Sequence, residues 1–153
     1  MINELKYRRI VNAIKYHEWA YSIWLAPLSH IIVHAALESM ICTSSRENSS
    51  QVTQRLPKLV SFSLSPQQAQ DIYLACCDFK HAAAMLFEQR RTTSGQLTPS
   101  DQRRADAVVL LRLAVRDLLT RALRDRVFAD VLANPELLSD KYRVLNKKGK
   151  LVR

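Results

Sequence analysis

Only two glycines, Gly95 and Gly149, occur in 153 residues. A β-sandwich or a doubly wound α/β fold needs many more glycine-bearing turns. A phosphate-cradling loop needs glycines close together, and these two are far apart. Helix-forming residues dominate instead, and 48% of the chain is hydrophobic. The chain is therefore expected to be all-α, a single antiparallel bundle of five or six helices around one core. Its length suits one domain, expected over residues 1–145, with a flexible basic tail over 146–153.

Capping signals and apolar spacing divide the chain. A first helix is expected over about 3–25, with Leu5, Ile10, Ile14, Tyr21 and Leu25 on its stripe and Trp19, Ile23 and Trp24 widening it. Ala26-Pro27 marks a break. The run IIVHAALESMI then predicts a central buried helix over 28–42, because it is apolar on nearly every side. Ser44 and Glu47 fit a capping box for a third helix from about Arg46, shortened or kinked by Pro57. Ser65-Pro66-Gln67-Gln68 starts a fourth helix, expected to reach about Arg90. RTTSGQLTPSDQ lacks an apolar period and predicts an exposed loop. A long fifth helix is expected over 99–132, with Val108, Leu111, Val115, Leu118 and Ala122 facing the core. Asn134-Pro135 caps a short last helix.

The formal charge is +9, from 23 lysines and arginines against 14 carboxylates. The surplus lies in the first helix, between Arg90 and Arg126, and in the tail. Such localised basicity suits a polyanionic partner such as RNA, although a solvated basic face gives the same composition. Three cysteines, Cys42, Cys76 and Cys77, sit among apolar residues without a C-x-x-C pair. They predict buried free thiols in a cytoplasmic protein. The N-terminus lacks the apolar run of a secretory signal, and no membrane span is expected.

Three constellations could carry chemistry. His30, His34 and Glu38 share one helix face at four-residue spacing, but core histidines are the commoner outcome, and no metal or other cofactor is expected. Cys77 and His81 are i, i+4 neighbours, yet the apolar YLACC context raises a thiol pKa. The arginines say more. Arg112 and Arg116 stand one turn apart, and Asp117 is placed to pair with Arg121. Arg90, Arg91, Arg103 and Arg104 bracket the polar loop with only Asp101 nearby in sequence. If the fourth and fifth helices are antiparallel, these four converge as a candidate nucleic-acid-binding group, matching guanidinium forks to phosphate oxygens.

Four segments together resemble the Apea-like branch of the HEPN superfamily: HAALESMI at 34–41, VTQRLPKLV at 52–60 with Arg55, DIYLACCDFKHA at 71–82 with Tyr73 and His81, and LLRLAVRDLLTRAL at 110–123. They cover roughly residues 30–130. The resemblance implies an α-helical bundle, commonly dimeric, of the kind found in RNA-targeting toxins and antiviral systems. Active members are metal-independent ribonucleases with an Arg-x(4–6)-His motif. The RNA 2′-OH attacks its own phosphate, histidine handles the proton and arginine stabilises the charge. Here the motif would place its arginine at Cys76, Ala75 or Leu74, four to six residues intervening before His81, and none of these is basic. The same test on His17, His30 and His34 also fails.

The leading expectation is therefore a catalytically degenerate HEPN-like domain. It would act as an RNA-binding or assembly subunit in a bacterial or phage-related defence or toxin system. A homodimer, or membership of a larger complex, is expected from the resemblance and from the apolar second helix. Two alternatives stand beside it. One is a divergent metal-independent endoribonuclease using His81, with Arg90 or Arg91 supplied across a dimer. The other is a small helical nucleic-acid-binding subunit of an RNA-guided effector complex.

Overall fold

The structure is a computed structural model that describes residues 5–23, 26–45, 47–82, 99–145 and 149. These residues form α1 (Arg8–Ser22), α2 (Ala26–Ile41), α3 (Asn48–Leu59), α4 (Pro66–Ala82), α5 (Pro99–Arg124), α6 (Arg126–Ala133) and α7 (Pro135–Lys141). The described residues are all-helical as expected, but with seven helices rather than five or six. The long helix expected over 99–132 is two. At Asp125 the backbone turns extended (φ −121°, ψ 106°), and its carboxylate accepts hydrogen bonds from the amides of Val127 and Phe128. That N-cap starts a new helix and turns Phe128, Ala129, Val131 and Leu132 into the core.

Other helix starts follow their sequence signals. Ser65 Oγ accepts from the Gln68 amide at 3.1 Å, while Gln68 Oε1 accepts from the Ser65 amide at 2.9 Å, a reciprocal capping box. Asn134 Oδ1 accepts from the amides of Glu136 and Leu137, with Pro135 as the first residue of α7. The box expected from Ser44 and Glu47 does not form. Glu47 itself occupies the cap position of α3 in the left-handed region (φ 59°), without a side-chain cap bond. Ser44 is used elsewhere, its carbonyl and hydroxyl both accepting from Gln51 Nε2. α1 is shorter than expected, and Ile23 leaves it in extended geometry before α2 begins at Ala26.

α2 is the central helix. Val33, Ala36, Leu37, Met40 and Ile41 are fully buried, and α1, α3, α4, α5 and α6 all pack on it. From α5, Leu111, Val115, Leu118 and Ala122 face the same core. The stripe expected on α1 is narrower than its sequence suggested. Ile10, Ala13 and Ala20 are buried, whereas Leu5, Trp19 and Tyr21 are exposed.

The C-terminus of α2 ends inside the protein, where its last carbonyls need donors from outside the helix. Two arginines supply them. Arg9 Nε donates to Ser39 O at 2.9 Å, and its Nη2 donates to Met40 O at 2.9 Å and Cys42 O at 2.7 Å. Arg55 Nη1 donates to Ile41 O at 2.7 Å. The Arg55 side chain is wholly buried and also donates to Gln51 Oε1, Thr43 Oγ1, Ser139 Oγ and Tyr142 O. Burial lowers the pKa of both guanidiniums, Arg9 to about 10, and an arginine so held by acceptors stays a cation at neutral pH. Their charge meets the negative end of the helix dipole. Two of the chain's surplus cations are thus structural.

Candidate nucleic-acid interface

The four arginines singled out in the sequence fall in different situations. Arg90 and Arg91 lie outside the described residues. Arg103 and Arg104 are exposed on the first turns of α5. α4 and α5 are antiparallel neighbours, as Arg104 against Asp78 at one end and Asp117 against Ser61 at the other require. Arg104 Nε and Nη2 both lie 3.1 Å from Asp78 Oδ2. Asp71 and Asp78 share a shallow pocket with Arg103 and Arg104. α4 thus brings Asp71 and Asp78, far away in sequence, beside these arginines, and Arg104 is already charge-compensated. His81 lies at the end of α4, and its side chain is outside the described residues. Residues 146–148 and 150–153 of the expected tail are also outside them.

The Asp117–Arg121 pair expected along α5 does not form. Asp117 accepts from the Ser61 amide at 2.8 Å and hydroxyl at 2.6 Å. Arg121 instead donates to the Leu59 carbonyl and stacks on the Phe128 ring, 4.1 Å from its centroid. Both side chains tie the turn after α3 to α5 and α6.

A different basic group assembles where α1, α2 and α5 meet. Arg112 Nη2 donates to the buried Ser29 hydroxyl at 2.9 Å and lies 3.4 Å from His30 Nδ1. Its guanidinium stands 5.8 Å from the Tyr21 ring centroid, and His17 packs edge-on against Tyr21 at 5.0 Å. Arg116 follows one turn along α5, exposed. Neither Arg112 nor Arg116 has a carboxylate partner among the described residues. Burial first, and then Arg112, push His30 below its usual pKa. Burial also lowers His17, with Arg112 and Arg116 adding to the effect and Glu18 opposing it. Both imidazoles are consequently neutral at pH 7. Tyr21 is 66% exposed, so one aromatic ring stands open beside Arg112, whereas Trp19, two residues away, faces the other side of α1.

Sequence spacing missed this group for a geometric reason. Spacing relates residues along one helix, whereas the arginine that reaches His30 is 82 residues away. The i, i+4 pattern of Arg112 and Arg116 was the signal available.

Of the other two constellations, the Cys77–His81 pair rests on a side chain outside the described residues, and the histidine–carboxylate face is divided. His34 is fully buried, with Nδ1 3.7 Å from Glu38 Oε1 and its ring 5.7 Å from that of Tyr73. Asn48 Nδ2 donates to the same Glu38 oxygen at 3.0 Å. Burial, then Cys77, push the Tyr73 hydroxyl up to about 12, and burial pushes the Cys42 thiol to about 12. Neither is a nucleophile at neutral pH. Among the described residues, no group of three histidine, cysteine or carboxylate side chains is placed to hold a metal ion. Among them too, no helix is long and apolar enough to cross a membrane. No protein-family model matches the chain, and neither does any curated protein or solved structure.

Proposed function

We propose that this chain is a helical binding subunit for RNA, engaged where Arg112, Arg116, His17 and His30 meet the exposed ring of Tyr21. The observation that carries the proposal is Arg112. Its guanidinium is oriented by Ser29 and lacks an acidic partner among the described residues, so a phosphate would supply the missing negative charge. The adjacent Tyr21 ring offers a stacking surface to an unpaired base, worth about 1–3 kcal/mol in single-strand binders. The HEPN resemblance of the sequence is compatible with this role, with the ribonuclease motif degenerate.

The test is fluorescence anisotropy with a labelled single-stranded RNA between about 50 and 200 mM salt. Arg112→Gln with Arg116→Gln should weaken binding and reduce the magnitude of the salt slope by about 2, one for each phosphate no longer neutralised. Arg103→Gln with Arg104→Gln should do less, because Arg104 is compensated by Asp78. Equal effects of the two pairs would move the interface to the end of the bundle. No binding by the parent protein would end the RNA proposal.

A second reading, metal-independent RNA cleavage, is favoured by one observation: neutral imidazoles beside a fixed guanidinium. A neutral histidine can take the 2′-OH proton while arginine stabilises the phosphorane. Cleavage in the presence of a chelator, abolished by His30→Gln and retained in His81→Ala, would establish it at this site. Cleavage abolished by His81→Ala alone would place it on α4.

A further inference from the structure

The geometry points to a second surface, separate from the Arg112 group: the groove between α1 and the α5–α6 junction is a docking site for an acidic amphipathic helix of a protein partner. Its floor is apolar, built from Ile10, Val11 and Ile14 of α1 with Ala122 and Ala129 opposite. Leu123 at its lip is 66% exposed, and Val127 beside Arg126 is 70% exposed. The groove holds about 260 Å³. This is below the roughly 300–1,000 Å³ of sites that enclose a small molecule. It suits one or two inserted side chains, the knobs of a helix laid lengthwise.

Charge selects the occupant. Arg124 and Arg126 line the α5–α6 side. On α1, exposed Arg8 and Lys15 stand one turn either side of Val11. The carboxylates at this end are already engaged. Asp130 accepts from Lys6 and from the Tyr7 hydroxyl, both at 2.7 Å, and Asp125 caps α6. Glu18, one turn beyond Ile14, is the exposed acid further along. A second copy of the chain would bring the same four cations against these. A helix with leucines at i, i+3, i+4 and i+7 and glutamates flanking them meets an apolar floor and a cationic rim together. RNA would satisfy the rim but leave Leu123 in water.

The probe is a labelled synthetic peptide of that pattern, with a scrambled peptide of identical composition as control, titrated against the full chain. Saturable binding of the patterned peptide is expected, at least tenfold tighter than the scrambled one. Leu123→Ser should weaken it about tenfold, because it withdraws one aliphatic side chain from the interface. Arg124→Glu with Arg126→Glu should abolish it. Arg112→Gln should leave it unchanged, which separates this surface from the RNA proposal. Because Leu123 is exposed, its variant should unfold at the same urea concentration as the parent, confirming an intact fold. The inference is overturned if the patterned peptide does not bind, or if the scrambled peptide binds equally. It is also overturned if RNA displaces the peptide from the unmutated protein, or if the chain is a dimer that Leu123→Ser converts to monomer.

Discussion

Replacing Arg55 with methionine removes a guanidinium that no solvent reaches. Methionine fills much of the same space, so the perturbation is chiefly the removal of donors. Five acceptors are then stripped of a bond: the carbonyls of Ile41 and Tyr142, Gln51 Oε1, and the hydroxyls of Thr43 and Ser139. A buried acceptor without its donor costs about 1–3 kcal/mol. Against this, methionine avoids the desolvation of a charge, and Gln51 keeps donors from Thr43. The net expectation is a destabilisation of about 3–5 kcal/mol, the range found when one side of a buried charged network is removed. For a chain of this length that is a fall in Tm of roughly 6–20 °C. Arg55→Lys should recover less than half of that stability, since one ammonium cannot span α2, α3 and α7 as the planar fork does. Urea unfolding followed by helical circular dichroism measures both variants. A methionine variant within about 1 kcal/mol of the parent would refute the claim that this arginine closes the end of α2.

Asp125→Ala should cost about 1 kcal/mol by removing the cap of α6, measurable as a shift in the urea midpoint. His17 and His30 have folded-state pKa values below the unfolded value of about 6.5, so the unfolded chain binds protons more readily. Stability should therefore be full above that pH and decline as pH falls below it, and His17→Gln with His30→Gln should flatten the decline. In the same titration followed by NMR, Arg112→Gln should raise the His30 pKa, because it removes a neighbouring cation. Cys42 should resist thiol reagents at neutral pH in the folded protein and react on unfolding, as its burial and its elevated pKa require.

Features encoded within a few neighbouring residues were legible in the sequence. The Ser65–Gln68 box, the Asn134-Pro135 start and the core stripe of α5 each depend on local spacing, and each forms as read except that Val108 is only half-buried and Leu111, Val115, Leu118 and Ala122 make the stripe. The break at Asp125 was not legible, because apolar residues continue at helical spacing through it and one carboxylate turns the chain. The exposure of Trp19 and Tyr21 was hidden for a related reason: hydrophobicity marks candidates for burial, but helix packing selects among them. His30, His34 and Glu38 share a face by spacing, yet different neighbours divide that face. α5 brings Arg112 to His30, whereas α4 brings Tyr73 to His34. Arg55 was noticed through family resemblance, and its buried role becomes visible only once residues 84 and 87 positions away arrive beside it.

That last convergence bears on the order in which the protein can be built during synthesis. When α2 and α3 have left the ribosome, Arg55 can reach Ile41 and Gln51, but Ser139 and Tyr142 have yet to be translated. Until then part of its fork must keep its water, and the end of α2 stays only partly closed. Arg9, made first, and Tyr142, made near the end, converge on the same helix terminus. A nascent chain stopped after α5 should therefore be protease-sensitive around residues 41–45, and protection should appear together with α7. The closing of one helix end thus acts as a late checkpoint, joining α1, α3 and α7 in a single cooperative step.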